Sequence, residues 1–265
     1  MRFSLRSTLL VGAIAACCVF DAHAATTTLN VGEPLARADL LKPGVHRYLR
    51  YTVAPDGQRS TKDIWAREVR FENVDGKRQL RIVQRWDAVG EKAYVRKQDS
   101  RFEAGTMRPL THTNEVVRDG KTELSGYRFL SDKVVGMDDL AGNAKRGFSA
   151  DSPEPAYNFE TDLEFLQSLP LAPGYEASIP FYDPGLAPPA RYVFKVAGED
   201  RLTGPDGRAI DCWLVTTDYN RPGYVSRFWF AKANQVLIRQ ESPLADGAGL
   251  LVKTLLPPEA ADAGG

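Results

Sequence analysis

The chain has 265 residues, 34 basic and 34 acidic side chains, and 10% aromatic residues. Balanced charge argues against nucleic acid as a partner, which selects a net basic chain with clustered Lys and Arg. A chain this long buries roughly 70–75% of its unfolded surface without disulfide staples, and it fits one large all-β domain as readily as two small ones.

The first 24 residues read as an export signal. Arg2 and Arg6 precede an apolar run from Leu9 to Phe20, and Ala22-His23-Ala24 has the small residues that signal peptidase accepts. Ile14-Ala15-Ala16-Cys17 within the run reads as a lipobox, so lipidation at Cys17 is the alternative outcome. The apolar run continues through Val19 and Phe20, which favours cleavage after Ala24. The expected location is the periplasm, with a lipid-anchored or a secreted form as alternatives. No later stretch reaches about 18 uninterrupted apolar residues, so no transmembrane segment is expected after cleavage. Cleavage leaves Cys212 without a disulfide partner, as a small apolar residue in a strand-like run.

Residues 25–40 form an N-terminal segment in this reading, 41–256 a single β-rich domain and 257–265 a polar, disordered tail. From 46 to about 136 the pattern is a β-meander, with strands predicted at 46–54, 62–73, 78–88, 92–103, 108–118 and 121–130. Asp56-Gly57, Asp75-Gly76 and Asp119-Gly120 punctuate it, and Asp-Gly between alternating segments signals a hairpin because both positive φ angles suit the strand twist. The faces differ. Trp65, Val69 and Phe71 share a side with Arg67, opposite Glu68, Arg70 and Glu72. Leu80, Ile82 and Trp86 share a side with Gln84, opposite Arg81, Arg85 and Asp87. Long strands with one apolar face tend to curl into a barrel or half-barrel.

Residues 141–157 are rich in Gly, Ser, Pro and Asp and read as a long loop. Residues 158–169 read as the one amphipathic helix, with Phe159, Leu163, Leu166 and Leu169 at helical spacing, acids at the start and Pro170 after the end. Strands resume at 175–182, 190–198, 208–220, 224–231, 235–241 and 249–255. The expected fold is therefore mainly β: a long-stranded antiparallel sheet curled into an unclosed barrel or half-barrel, covered by one helix and loops.

Chemistry-bearing motifs are scarce. His46 and His112 stand in different strands with no neighbouring Cys or acidic cluster at ligand spacing, so neither a metal nor another cofactor is expected. No nucleophile elbow, zincin, P-loop or Rossmann pattern occurs. Aromatics are abundant, and the inner-face polar groups Arg67, Gln84, Arg96 and His112 are costly in a dry core unless paired. A partly wet pocket would use both. Its candidate lining is Trp65, Arg67, Phe71, Trp86, Tyr94, Arg96, His112, Tyr127 and Phe129.

The run Gly105-Thr106-Met107-Arg108-Pro109-Leu110-Thr111-His112, followed by Asp119-Gly120, Phe129 and Asp132-Lys133-Val134, resembles the bacterial domain-of-unknown-function family 3108. Asp211-Cys212-Trp213-Leu214-Val215 and the run from Arg227 to Glu241 are similar to the late strand pair of that family and of periplasmic lipoprotein carriers. The resemblance spans about residues 41–255. It implies an exported, unclosed β-barrel with helical cover, related in shape to carriers of acyl chains, and supplies no catalytic set.

Three functions follow as expectations. The first is a non-catalytic envelope protein holding a hydrophobic or lipid-like ligand, such as an acyl chain, under the curved sheet. The second is a protein-interaction or envelope-assembly module with a filled core and an envelope protein as partner. The third is a secreted hydrolase, which would need His112 in one cleft with Glu115 or Glu123.

Overall fold

A computed structural model describes residues 25–258 apart from Lys92, Ala187 and Asp246. The expected export signal and residues 259–265 of the expected tail lie outside the described residues. In chain order the first strands are β1 (Thr27–Thr28), β2 (Gly44–Val53), β3 (Arg59–Val74), β4 (Lys77–Ala88), β5 (Val95–Glu103), β6 (Pro109–Arg118), β7 (Lys121–Phe129) and β8 (Lys133–Gly136). Then come β9 (Ser149–Asp151), β10 (Tyr157–Asn158), the helix α1 (Asp162–Gln167) and β11 (Glu176–Tyr182). The chain ends with β12 (Ala190–Thr203), β13 (Ala209–Thr217), β14 (Ser226–Ala231), β15 (Leu237–Pro243) and β16 (Leu250–Leu255).

Turn chemistry sets the meander. Asp75 and Gly76 take φ of 49° and 75°, and Asp119 and Gly120 take 50° and 70°. Both pairs thus make the two-residue turn with two positive φ angles, bringing Val74 opposite Lys77 and Arg118 opposite Lys121. Asp56-Gly57 sits in a longer loop, where only Gly57 has positive φ and the Ala54 N–H bonds the Gln58 carbonyl.

The strands form one sheet, running from β11 through β16, then β2 through β9. Pairing of β16 with β2, from Leu250 opposite Val53 to Leu255 opposite Tyr48, joins the late half of the chain to the early half. Among the described strands β1 and β10 alone pair in parallel, both on β11. The barrel does not close by hydrogen bonds between β9 and β11. Side chains fill that seam instead: Tyr127, Phe129, Val134, Ala156 and Tyr182 cluster there, with Phe129 edge-on to Tyr182. The fold is the expected unclosed, mainly β barrel.

Three local expectations are corrected. The strand predicted to stop at Gly198 continues to Thr203, because the register shift between Val196 and Gly198 is a bulge and not an end. The predicted loop 141–157 contains β9 and reaches β10. Asn143 pins it, bonding Gly126 through both backbone groups and the carbonyl of Met137. At Gly136 a Cβ would lie 1.8 Å from the Lys145 carbonyl oxygen, so only glycine admits this close approach. The predicted helix 158–169 is a 3-10 turn, Phe159–Thr161, running into the six-residue α1, with Asn158 capping the turn through the Glu160 N–H.

Helix α1 lies within the concave side of the sheet and all six of its residues are buried. It fills the barrel as well as covering it. Phe165 and Leu166 join Leu80, Ile82, Phe102, Phe181, Phe194 and Phe228 in one apolar core. Each such side chain contributes about 1.5–3 kcal/mol by leaving water.

Candidate functional site

Two rows of inward residues cross the sheet above this core. Gln240, Lys253, Arg50 and Asp63 are successive cross-strand neighbours on β15, β16, β2 and β3. Trp65, Trp86 and Arg96 form the second row on β3, β4 and β5. Residues two apart on a strand share a face, so Asp63 and Trp65 bring the rows side by side. Trp65 and Trp86 stack with ring centroids 5.4 Å apart. Cations flank them: the Arg67 guanidinium lies 4.4 Å and the Lys253 ammonium 4.6 Å from the Trp65 ring, and Arg96 lies 4.9 Å from Trp86. Such contacts contribute about 0.5–2 kcal/mol each.

Deeper in, the polar groups are paired. Arg67 grips both carboxylate oxygens of Glu164 on α1, and its Nη1 donates to Gln84 Oε1 at 2.9 Å. Gln84 Nε2 donates in turn to the Glu160 carbonyl at 2.8 Å, and Trp65 Nε1 donates to Gln84 Oε1 at 3.1 Å. Removing one partner of a buried ion pair costs about 3–5 kcal/mol, so this network locks α1 to β3 and β4. The Glu160 carboxylate accepts from Arg96 at 2.6 Å and from Gln98 at 2.8 Å. Burial pushes that carboxyl up, but Arg96, His112 and the Gln98 bond outweigh it and hold it below the usual range.

A cavity of about 650 Å³ opens at this end of the barrel, a size typical of small-molecule sites. Arg50, Trp65, Trp86, Arg96 and Lys253 line it from the sheet, Phe159 and Glu160 from the 3-10 turn, and Asp162 from the start of α1. Tyr192, Tyr219 and Tyr224 line it from β12 and the loop between β13 and β14, and Asp183, Leu186 and Pro188 from the loop after β11. Phe159 packs against Tyr192 and Tyr219 at 5.9 and 5.5 Å between centroids, making an aromatic wall.

The charges in this cavity are unevenly compensated. Arg50 Nε lies 3.4 Å from Asp63 Oδ1, and Arg96 is held by Glu160 and Asn114. Among the described residues the Lys253 ammonium has no hydrogen bond or ion pair, only the Trp65 ring. Burial lowers its pKa to about 7, partly opposed by Asp162. Burial raises the Asp162 carboxyl and pushes Asp183 up to about 7.

Of the nine expected lining residues, Trp65, Trp86 and Arg96 reach the cavity. Arg67 is sealed below it by Glu164. Phe71 lies in a separate hollow with Leu41, Pro43 and Arg78. Tyr94 packs on the core edge under Arg118. Tyr127 and Phe129 fill the seam. His112 is buried, with Nδ1 2.9 Å from Ser100 Oγ and 3.3 Å from Asn158 Nδ2. That Ser–His contact has the geometry of a nucleophile and base, but neither residue lines the cavity and both are shut from solvent. Glu115 ion-pairs with Lys97 and Glu123 is exposed, so the cleft a hydrolase reading needs is not assembled. Among the described residues no group of three His, Cys, Asp or Glu could hold a metal ion, and no helix is long and apolar enough to cross a membrane. Cys212 is buried beside Trp229, Ala231 and Ile238, and burial lifts its thiol pKa to about 11.

Sequence reasoning missed Lys253, Arg50, Asp183 and the three tyrosines. Lys253 left a signal, since it shares a strand face with Leu251 and Leu255 and stands out as a charge among apolar neighbours. The tyrosines left none, because loops deliver two of them.

A family model described as "Protein of unknown function (DUF3108)" matches residues 48–254. No curated protein matches the chain. Among solved structures, the chain is similar to a beta-barrel-like protein of domain of unknown function DUF1849 from Brucella abortus. The TM-score is 0.50 at 13% identity, over 83% of this chain and 99% of that one, a likeness of fold.

Proposed function

We propose that this chain, which belongs to the DUF3108 family, is a non-catalytic binding protein of the cell envelope whose end cavity takes a small amphipathic ligand. One observation carries the reading: the barrel interior is filled by α1 and its paired network, while a cavity of about 650 Å³ with an aromatic wall and a charged floor stays open beside it. An acyl chain lying under the whole sheet, as the likeness to lipoprotein carriers implies, would have to displace α1. The ligand is therefore short, and it sits at the barrel end. Export rests on the signal-like residues 1–24, and the periplasm is the location consistent with them.

A second reading, an interaction module, draws support from a second groove of about 720 Å³ lined by Ile210, Val236, Ile238 and Leu255. Titration with the neutral fluorophore N-phenyl-1-naphthylamine separates the two. Saturable binding is expected, weakened about tenfold by Tyr192→Ala through lost aromatic contact and unchanged by Ile210→Ser. The reverse pattern, or no saturable binding, would contradict the cavity reading; the reverse pattern would favour the second groove.

A further inference from the structure

We propose that Lys253 anchors the head group of the cavity's ligand, and that this head group is anionic. The inference rests on the cavity reading above and names the ligand class it implies. Ionic groups at the cavity floor come in opposed pairs, Arg50 with Asp63 and Arg96 with Glu160. Lys253 is the cross-strand neighbour of Arg50 and is half-buried; among the described residues its ammonium makes no ion pair and contacts the Trp65 ring. An ammonium withdrawn from water without a counter-ion is costly, and an incoming anion removes that cost. Arg221, exposed at the cavity rim over the Tyr224 ring, is a second cation with no ion pair among the described residues.

The remaining carboxylates do not favour a cationic ligand instead. Glu160 is committed to Arg96 and Gln98. Burial raises the pKa of Asp162 and pushes Asp183 up to about 7, so at pH 6 Asp183 is mostly the neutral acid, which donates a hydrogen bond to a bound anion. The aromatic wall of Phe159, Tyr192 and Tyr219 supplies the apolar half of the site.

The groups facing Lys253 set the pH dependence. They are Asp162 on α1, Arg50 on β2, Asp63 and Arg67 on β3 and Glu160 on the 3-10 turn, with Asp183 and Arg221 across the cavity. Lys253 is charged below about pH 7 and neutral above it. Asp183 gains its charge over the same range. Both changes weaken anion binding as pH rises.

The test is isothermal titration of the purified protein at pH 6 with decanoate, with decanol and with decanoyl-lysophosphatidylglycerol, each below its micelle concentration. Wild type should bind the two monoanions at least about tenfold tighter than decanol, and the tighter of the two identifies the head as carboxylate or phosphodiester. Lys253→Met should remove that preference while leaving decanol affinity within about twofold. Lys253→Arg should keep it and shift its loss at rising pH well above 7, because a guanidinium stays charged. Equal wild-type affinity for decanol and decanoate would overturn the head-group anchor while leaving the cavity reading intact. Equal loss of both ligands in Lys253→Met, with its thermal midpoint unchanged, would also overturn it. Binding of none of the three would sink the cavity reading itself.

Discussion

Burial decides charge at single residues of this barrel. His112 is 2% exposed, and burial lowers its pKa to about 4 from the usual 6.5, against the pull of Glu160. Between about pH 6.5 and pH 4 the unfolded chain therefore takes up a proton that the folded chain refuses, so this residue lowers stability as pH falls through that window. The full effect is about 3 kcal/mol, reached near pH 4. Asp183 works in the opposite sense. Its raised pKa of about 7 means that the folded state holds a proton the unfolded chain has released, and stability from this group falls as pH rises towards 7. Comparing wild type with His112→Gln isolates the histidine. Urea midpoints from pH 7 down to 4.5 should converge as the wild type loses its advantage. Parallel curves would contradict the assignment.

At the scale of elements, α1 is a plug. It is too short to be stable alone, and its place is fixed by Phe165 and Leu166 in the core and by Glu164 on Arg67. Leu166→Ala should cost about 2–5 kcal/mol, read from the denaturant midpoint, whereas Leu130→Ala on the surface should stay within about 0.5 kcal/mol. Equal small effects would show that α1 does not carry core packing. The same element marks how far the sequence could be read. Its apolar spacing and flanking Pro170 announced a helix. Its first turn is 3-10 because Asn158 caps at Glu160 and Thr161 leaves helical angles, details set by the sites it packs into. Asp75-Gly76 and Asp119-Gly120 were plain because both residues need positive φ. Gly198 was misleading, since a glycine marks a bulge as readily as a strand end.

At the scale of the molecule, one pairing makes the site: β16 against β2 sets Lys253 beside Arg50. That contact joins residues some two hundred positions apart, and no local pattern announces it. Strand alternation correctly turned Trp65, Trp86 and Arg96 inwards, but it could not say that α1 would fill the barrel beneath them and leave only the open end. Arg67 and His112 were rightly read as costly unless paired, and they are paired, within the core instead of with a ligand. What the barrel leaves open is therefore its most direct claim. Crystals grown with 10-bromodecanoic acid test it through the anomalous signal of bromine. One bromine peak is expected among Trp65, Trp86, Tyr192 and Tyr219, with the carboxylate beside Lys253. Bromine confined to the second groove at Ile210 and Ile238, with an empty end cavity, would contradict the account.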